Sequence, residues 1–446
     1  MNAFYENRIL IIVTLLMIPA GAKPKYITTE PIFMIADIRK NTAGLRSVFI
    51  PNPGSMAVHV AVLINTGSRD EALHLNGISH FIEHMVFKGT PKRKAFHILN
   101  RLDSVGGEIN AYTTKEQTCY YASVAKEHAD RAIELLADII INATFPIAEI
   151  EKEKSVISEE IDMYQDYPEE TILEDFENEL FPGAALGKPI LGTHESILTF
   201  NQQKLLTYRN TFYVAGNISV GICGDMPADA AHHLMLRYFD AVSAKKAPNR
   251  EIVKPSGKHF SRTSEKSLQQ AHVMLGGKAP SKKVKEQWAL QILTNLLGGP
   301  AMNSRLNLAI REKYGLVYQI SCFYTSFEDT GITGIYFSAD DKKREKVLQL
   351  IHKELMPIVE NGITEDALHK AFRQLSGNIR LQQDNKQSVL HHFLKESFHL
   401  HALSPEDYIL HLQSVSTKDI LQAARKYLNP EKLNTVTYLP EKTANS

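Results

Sequence analysis

Two histidines four residues apart, with a carboxylate between them, constrain this chain more than any other feature. Residues His80, Phe81, Ile82, Glu83 and His84 read His-x-x-Glu-His. Side chains four apart share one face of a helix, so the two imidazoles can close on a single ion only if this stretch is helical. Neutral imidazole is a favoured zinc ligand. Glu83 lies one turn from His80 and beside His84, near the metal without having to bind it. A carboxylate so placed is suited to take a proton from water at that metal. The chain must therefore fold so that one face of this helix meets a further ligand.

A zinc site needs that third protein ligand and an open position. A donor segment lies downstream at 149–163, where Ile150, Val156, Ile157, Ile161 and, just beyond, Tyr164 recur at helical spacing. Glu153 and Glu160 are seven apart and fall on one face beside that apolar stripe. A carboxylate pressed toward a core needs a partner, and a metal is one. Glu149, Glu151 and Glu159 read instead as a solvated face.

The segment Gly77-Ile78-Ser79-His80-Phe81-Ile82-Glu83-His84-Met85-Val86-Phe87-Lys88-Gly89-Thr90 closely resembles the inverzincin metallopeptidases of the pitrilysin and mitochondrial processing peptidase type. In that family the third ligand is a Glu in a helix of the form Glu-x-Glu-x-x-Val-Ile-x-x-Glu. Here Glu160 falls 76 positions after His84, within Glu151-x-Glu153-x-x-Val156-Ile157-x-x-Glu160. The resemblance implies that His80, His84 and Glu160 bind Zn2+ and that Glu153 holds a ligand histidine. Gly106-Gly107-Glu108-Ile109-Asn110-Ala111-Tyr112-Thr113 resembles the family strand that takes substrate by backbone pairing, which makes Asn110 and Ala111 substrate-binding candidates. Arg311 and Tyr318, seven apart, match a family pair that positions the substrate carbonyl and stabilises the tetrahedral intermediate. Both are hydrogen-bond donors, as a developing oxyanion requires.

Composition separates the remaining classes. Apolar residues make up 43% and charged residues 22% of the 446-residue chain, an ordinary globular balance with enough apolar content for large cores. Formal net charge is zero and no long basic block occurs, so nucleic-acid binding has no support. Residues 9–17 are almost wholly apolar, follow Arg8, and precede Ala20-Gly21-Ala22, a small-x-small site. Residues 1–22 therefore read as a secretory signal peptide, with the protein exported, most naturally to the periplasm, and left without a stable membrane span once cleaved. An uncleaved N-terminal membrane anchor is the alternative. Cys119, Cys223 and Cys322 are far apart in apolar, strand-like contexts, the pattern of buried thiols.

The chain reads as two halves of similar internal order. Tyr120-Tyr121-Ala122-Ser123-Val124 precedes a helix carrying Ala132 and Ile133, and Ile335-Tyr336-Phe337-Ser338-Ala339 precedes one carrying Val347 and Leu348 at the same offset. Glycine pairs at Gly106-Gly107 and Gly298-Gly299 add to the match. The expected fold class is α+β: two homologous α+β domains from an internal duplication, each an antiparallel-rich sheet packed with helices. The expected layout is an N-terminal catalytic zinc-binding domain at 30–243, a linker at 244–267 and a homologous non-zinc domain at 268–440. Strands are expected at 58–64, 109–113, 118–124, 218–223, 272–275, 317–324 and 331–337, and helices at 365–381, 389–398 and 417–427. The helix at 285–297 stands where the repeat would put the zinc motif, and it carries none of the ligands.

The expected activity is that of a zinc-dependent metalloendopeptidase hydrolysing extended peptides or small unfolded polypeptides. Family members enclose substrate between two halves of two repeats each, and this chain supplies two repeats. The resemblance thus implies a dimer-enclosed chamber, in a homodimer or in a heterodimer with a related subunit, with Arg311 and Tyr318 serving the partner's zinc. The alternatives are a non-catalytic interaction subunit of the same fold and a zinc hydrolase with a non-peptide substrate.

Overall fold

A computed structural model of the chain describes residues 36–399 and 401–441. The apolar segment at 9–17 and its cleavage site lie outside them.

Two mixed sheets organise the described residues. The first contains β1 (Asp37–Lys40), β2 (Arg46–Pro51), β3 (Ala57–Ile64), β4 (Glu108–Thr113), β5 (Thr118–Ala125) and β6 (Ile218–Gly224), in the order β1-β2-β6-β3-β5-β4. The second contains β7 (Ser261–Lys266), β8 (Ala271–Ala279), β9 (Val317–Ser326), β10 (Gly331–Ala339) and β11 (Asn434–Pro440), in the order β7-β11-β8-β10-β9. Without β1, the two orders coincide strand for strand along the chain. They also share one parallel pair at the same place, β2 with β6 and β7 with β11, while the other pairs are antiparallel. Two sheets with one connectivity and one direction pattern are what a duplicated unit produces.

The alternation of apolar residues explains the central strands. In β3, Val58, Val60, Val62 and Ile64 face one core, and Ala61 and Leu63 face another. The first core lies between the sheet and its helices, among them α1 (Ile78–Met85), α2 (Ala95–Asp103), α3 (Ala129–Asn142) and α4 (Ile147–Gln165). The stretch read as a linker departs from expectation, because residues 261–266 form β7 beside β11. Its six residues are all exposed, so no apolar pattern announces the strand.

The rear faces of the sheets are covered crosswise. Helix α5 (Pro168–Leu180), from the first half, lays Ile172, Phe176 and Leu180 on Met274, Ile332, Tyr336 and Val436 of the second sheet. Helix Lys386–Glu396, from the second half, lays Val389, Leu390, Phe393 and Leu394 on Val48, Ile50, Ala61 and Leu63 of the first. Gly221 on β6 permits that approach, since a Cβ there would stand 2.6 Å from Leu390 Cδ1. Among the described residues no helix is long and apolar enough to cross a membrane. The three cysteines are buried and unpaired.

Candidate active site

Helix α1 carries the pentad, and its start is held from outside. Gly77, at φ 92°, turns the chain into the helix, and a Cβ there would meet Leu191 O at 2.5 Å. Glu71, a buried residue, accepts the backbone N–H of Gly77 at 2.7 Å and that of Ser79 at 2.8 Å, which satisfies donors the first turn leaves open. Burial pushes the Glu71 carboxyl up to about 7, against those hydrogen bonds. Phe81, Ile82 and Met85 sink into the first core, so the face bearing His80 and His84 turns to α4.

Helix α4 meets it with Glu160 and Glu153. His80 Nε2 lies 3.8 Å and His84 Nε2 lies 3.6 Å from Glu160 Oε2. Among the described residues, His80, His84 and Glu160 are the one group of three whose ligand atoms all fall within 4.8 Å of each other. Zinc bonds of about 2.0–2.2 Å in a tetrahedron put ligand atoms about 3.3–3.5 Å apart, so a small inward movement fits these three to the ion. Glu153 is not in that group. Its Oε1 lies 2.9 Å from His84 Nδ1, and Lys88 Nζ stands 2.6 Å from its Oε2. With Nδ1–H donating to Glu153, His84 turns the lone pair of Nε2 toward Glu160. The stripe of α4 is narrower than its periodicity suggests: Ile150, Glu153 and Ile157 are buried, whereas Val156 is exposed.

The electrostatics favour a neutral imidazole at His80. It is 7% exposed, and burial followed by the nearness of His84 takes it down to about 3. Its Nδ1 has no hydrogen-bond partner among the described residues. Burial also pulls His84 down, but the Glu153 hydrogen bond and the charges of Glu160 and Glu83 carry it above its ordinary value. For Glu153 the order reverses: burial would raise it, and His84 and Lys88 hold it below the usual carboxylate range.

Glu83 stands beside the cluster and outside it. Burial raises its carboxyl, opposed by a hydrogen bond from Thr113 and by the charge of His84. It lines a cavity of about 290 Å³ with His84, Phe87, Leu99 and Asn110 among its walls. Strand β4 forms one side of that cavity. Among the described residues it pairs only with β5 and is the outermost strand, so its other edge presents backbone donors and acceptors. Asn110 Oδ1 accepts the backbone N–H of Ala111 at 2.8 Å, capping one of those donors.

Arg311 and Tyr318 lie elsewhere. Arg311 is in a π-helical turn, Asn307–Glu312, of the second unit, and Tyr318 is on β9, the strand equivalent to β4, with 78% of its surface exposed. Neither lines the cavity beside Glu83. Three contributors escaped the sequence reading as functional residues: Lys88, Thr113 and Glu71. Lys88 had a signal in standing four residues after His84, although α1 ends at Met85; Glu71 had none.

Residues 46–194 match the family model described as Insulinase (Peptidase family M16), and residues 199–375 match Peptidase M16 inactive domain. The zinc protease YmxG of Bacillus subtilis is 36% identical over 348 residues, 78% of this chain and 84% of that protein. The zinc protease SCO5738 of Streptomyces coelicolor is 30% identical over 422 residues, 92% of each chain. A protease from Helicobacter pylori has the same fold, with a TM-score of 0.83 at 22% identity, covering 92% of this chain and all (100%) of that one.

Proposed function

Since the chain belongs to peptidase family M16 and is a zinc-dependent peptidase acting on peptides, we propose that His80, His84 and Glu160 hold its metal and that Glu83 is its general base. The observation that carries this reading is the meeting of two Nε2 atoms and one carboxylate at a point beside a second carboxylate that does not join them. When bound there, zinc supplies Lewis-acid chemistry, polarising a carbonyl oxygen and acidifying water. Glu83 takes the proton of the attacking water and hands it to the leaving amine. Glu153, itself fixed by Lys88, keeps the His84 ring in its ligating tautomer. An extended peptide lies along the open edge of β4, with Asn110 swinging from Ala111 to release its N–H.

The site is completed by a second chain in this reading. Arg311 and Tyr318 stand on the unit without ligands, and Tyr318 projects outward. They donate to the developing oxyanion at the partner's zinc, in a chamber closed by two copies. The apolar segment at 9–17 supports export, so the substrates are peptides outside the cytoplasm, cleared or processed there.

Zinc content and cleavage of unstructured peptides, measured for wild type and Glu83→Gln, test the base. The variant keeps its zinc and loses turnover by about 10²–10⁴-fold, the usual range for a general base. Peptidase activity that survives the substitution overturns the assignment. For the dimer, an inactive Glu83→Gln chain mixed with an inactive Arg311→Ala chain recovers activity; a mixture that stays inactive counts against completion by a partner.

A further inference from the structure

The Glu83 carboxylate has one hydrogen bond among the described residues, and it comes from the strand that faces the substrate. Thr113 closes β4, in register with Thr118 of β5, and its Oγ1 donates to Glu83 Oε2 at 2.5 Å. A glutamate has three side-chain torsions and can place its oxygens in many ways. Thr113 can place its hydroxyl in few: its side chain is β-branched and its backbone is locked in a sheet. With Oε2 held, Oε1 is left to meet water. On the same strand, Asn110 and Ala111 line the cavity that Glu83 enters. One rigid strand thus carries both the edge offered to the peptide and the anchor of the base.

We propose that Thr113 is a positioning residue, whose hydroxyl fixes one oxygen of Glu83 so that the other points at the attacking water. The inference rests on Glu83 being the base. It assigns to the strand end a task separate from backbone pairing with the substrate. Misplacing a reacting group by about 1 Å costs about 10²-fold in rate, which sets the scale of the effect.

Thr113→Val removes the hydroxyl and keeps the shape. The expected result is a kcat lower by about ten- to a hundredfold, with KM, zinc content and thermal midpoint close to wild type. Thr113→Ser, which restores a hydroxyl, regains most of the rate. In a Glu83→Gln background, measured in single turnover, Thr113→Val has no further effect. Three results overturn the proposal: full kcat in Thr113→Val, no recovery in Thr113→Ser, or an equal loss in the Glu83→Gln background. An inactive Glu83→Gln beside a fully active Thr113→Val rejects the positioning alone. A fully active Glu83→Gln rejects the base assignment beneath it.

Discussion

His84 is held from two sides, and the second side is as much a part of the centre as the first. Glu153 is 3% exposed, yet it keeps its charge because an imidazole and the Lys88 ammonium both press on it. Glu153→Ala leaves His84 free to rotate and to choose the wrong tautomer. Zinc affinity is expected to fall about 10–100-fold, read by competition with a chromogenic chelator while the fold is retained. At this scale much was legible. The pairing of His80 with His84 followed from helical spacing, Glu153 and Glu160 stood out beside an apolar stripe, and the separate roles of those two carboxylates came from the resemblance. Val156 was assigned to that stripe by the same logic and lies outside it, because a neighbour decides how wide a helix face is buried. Glu71 was illegible: it reaches α1 from a loop, through contacts with backbone, which carries no residue code.

Seven strands were legible in the sequence, and β1, β2, β7 and β11 were missed, although β11 buries Val436 and Tyr438 in alternation. β3, β5, β6, β9 and β10 stand where alternation placed them, within a few residues at their ends. β7 is Ser-Arg-Thr-Ser-Glu-Lys, and it is a strand only because β11 lies beside it. The same dependence on a neighbour shapes helix Ala228–Phe239, whose His232 is fully buried with Nδ1 2.7 Å from Ser47 Oγ of β2. Burial, then Arg39, takes His232 from 6.5 down to about 4. Between those values the unfolded chain binds a proton that the folded chain refuses. Its contribution is therefore intact above about pH 6.5 and lost as pH falls toward 4, by at most about 1.4 kcal/mol per pH unit. His232→Gln, which keeps an acceptor for Ser47, should flatten that part of the profile. Denaturation at pH 4–7 checks it, the difference between the two proteins cancelling the metal ligands they share.

Across the whole molecule, each half closes the core of the other. Phe393, in the second half, is buried against Val48, Ile50, Ala61 and Leu63 of the first sheet. Phe393→Ala should cost about 3–5 kcal/mol, the usual loss for a buried phenylalanine, and should lower the denaturant concentration at which zinc is released. A stability unchanged by that substitution would mean the crosswise packing contributes little. The amino-acid sequence by itself determined the family, the duplication, the pairing of two histidines with a distant glutamate and the central strands. Each is written in local spacing, where side-chain period and backbone geometry leave few choices. Only the tertiary structure decided which helix covers which sheet, that six polar residues become β7, and that Thr113 meets Glu83. Those outcomes depend on surfaces far apart in the chain, whose fit no local pattern records.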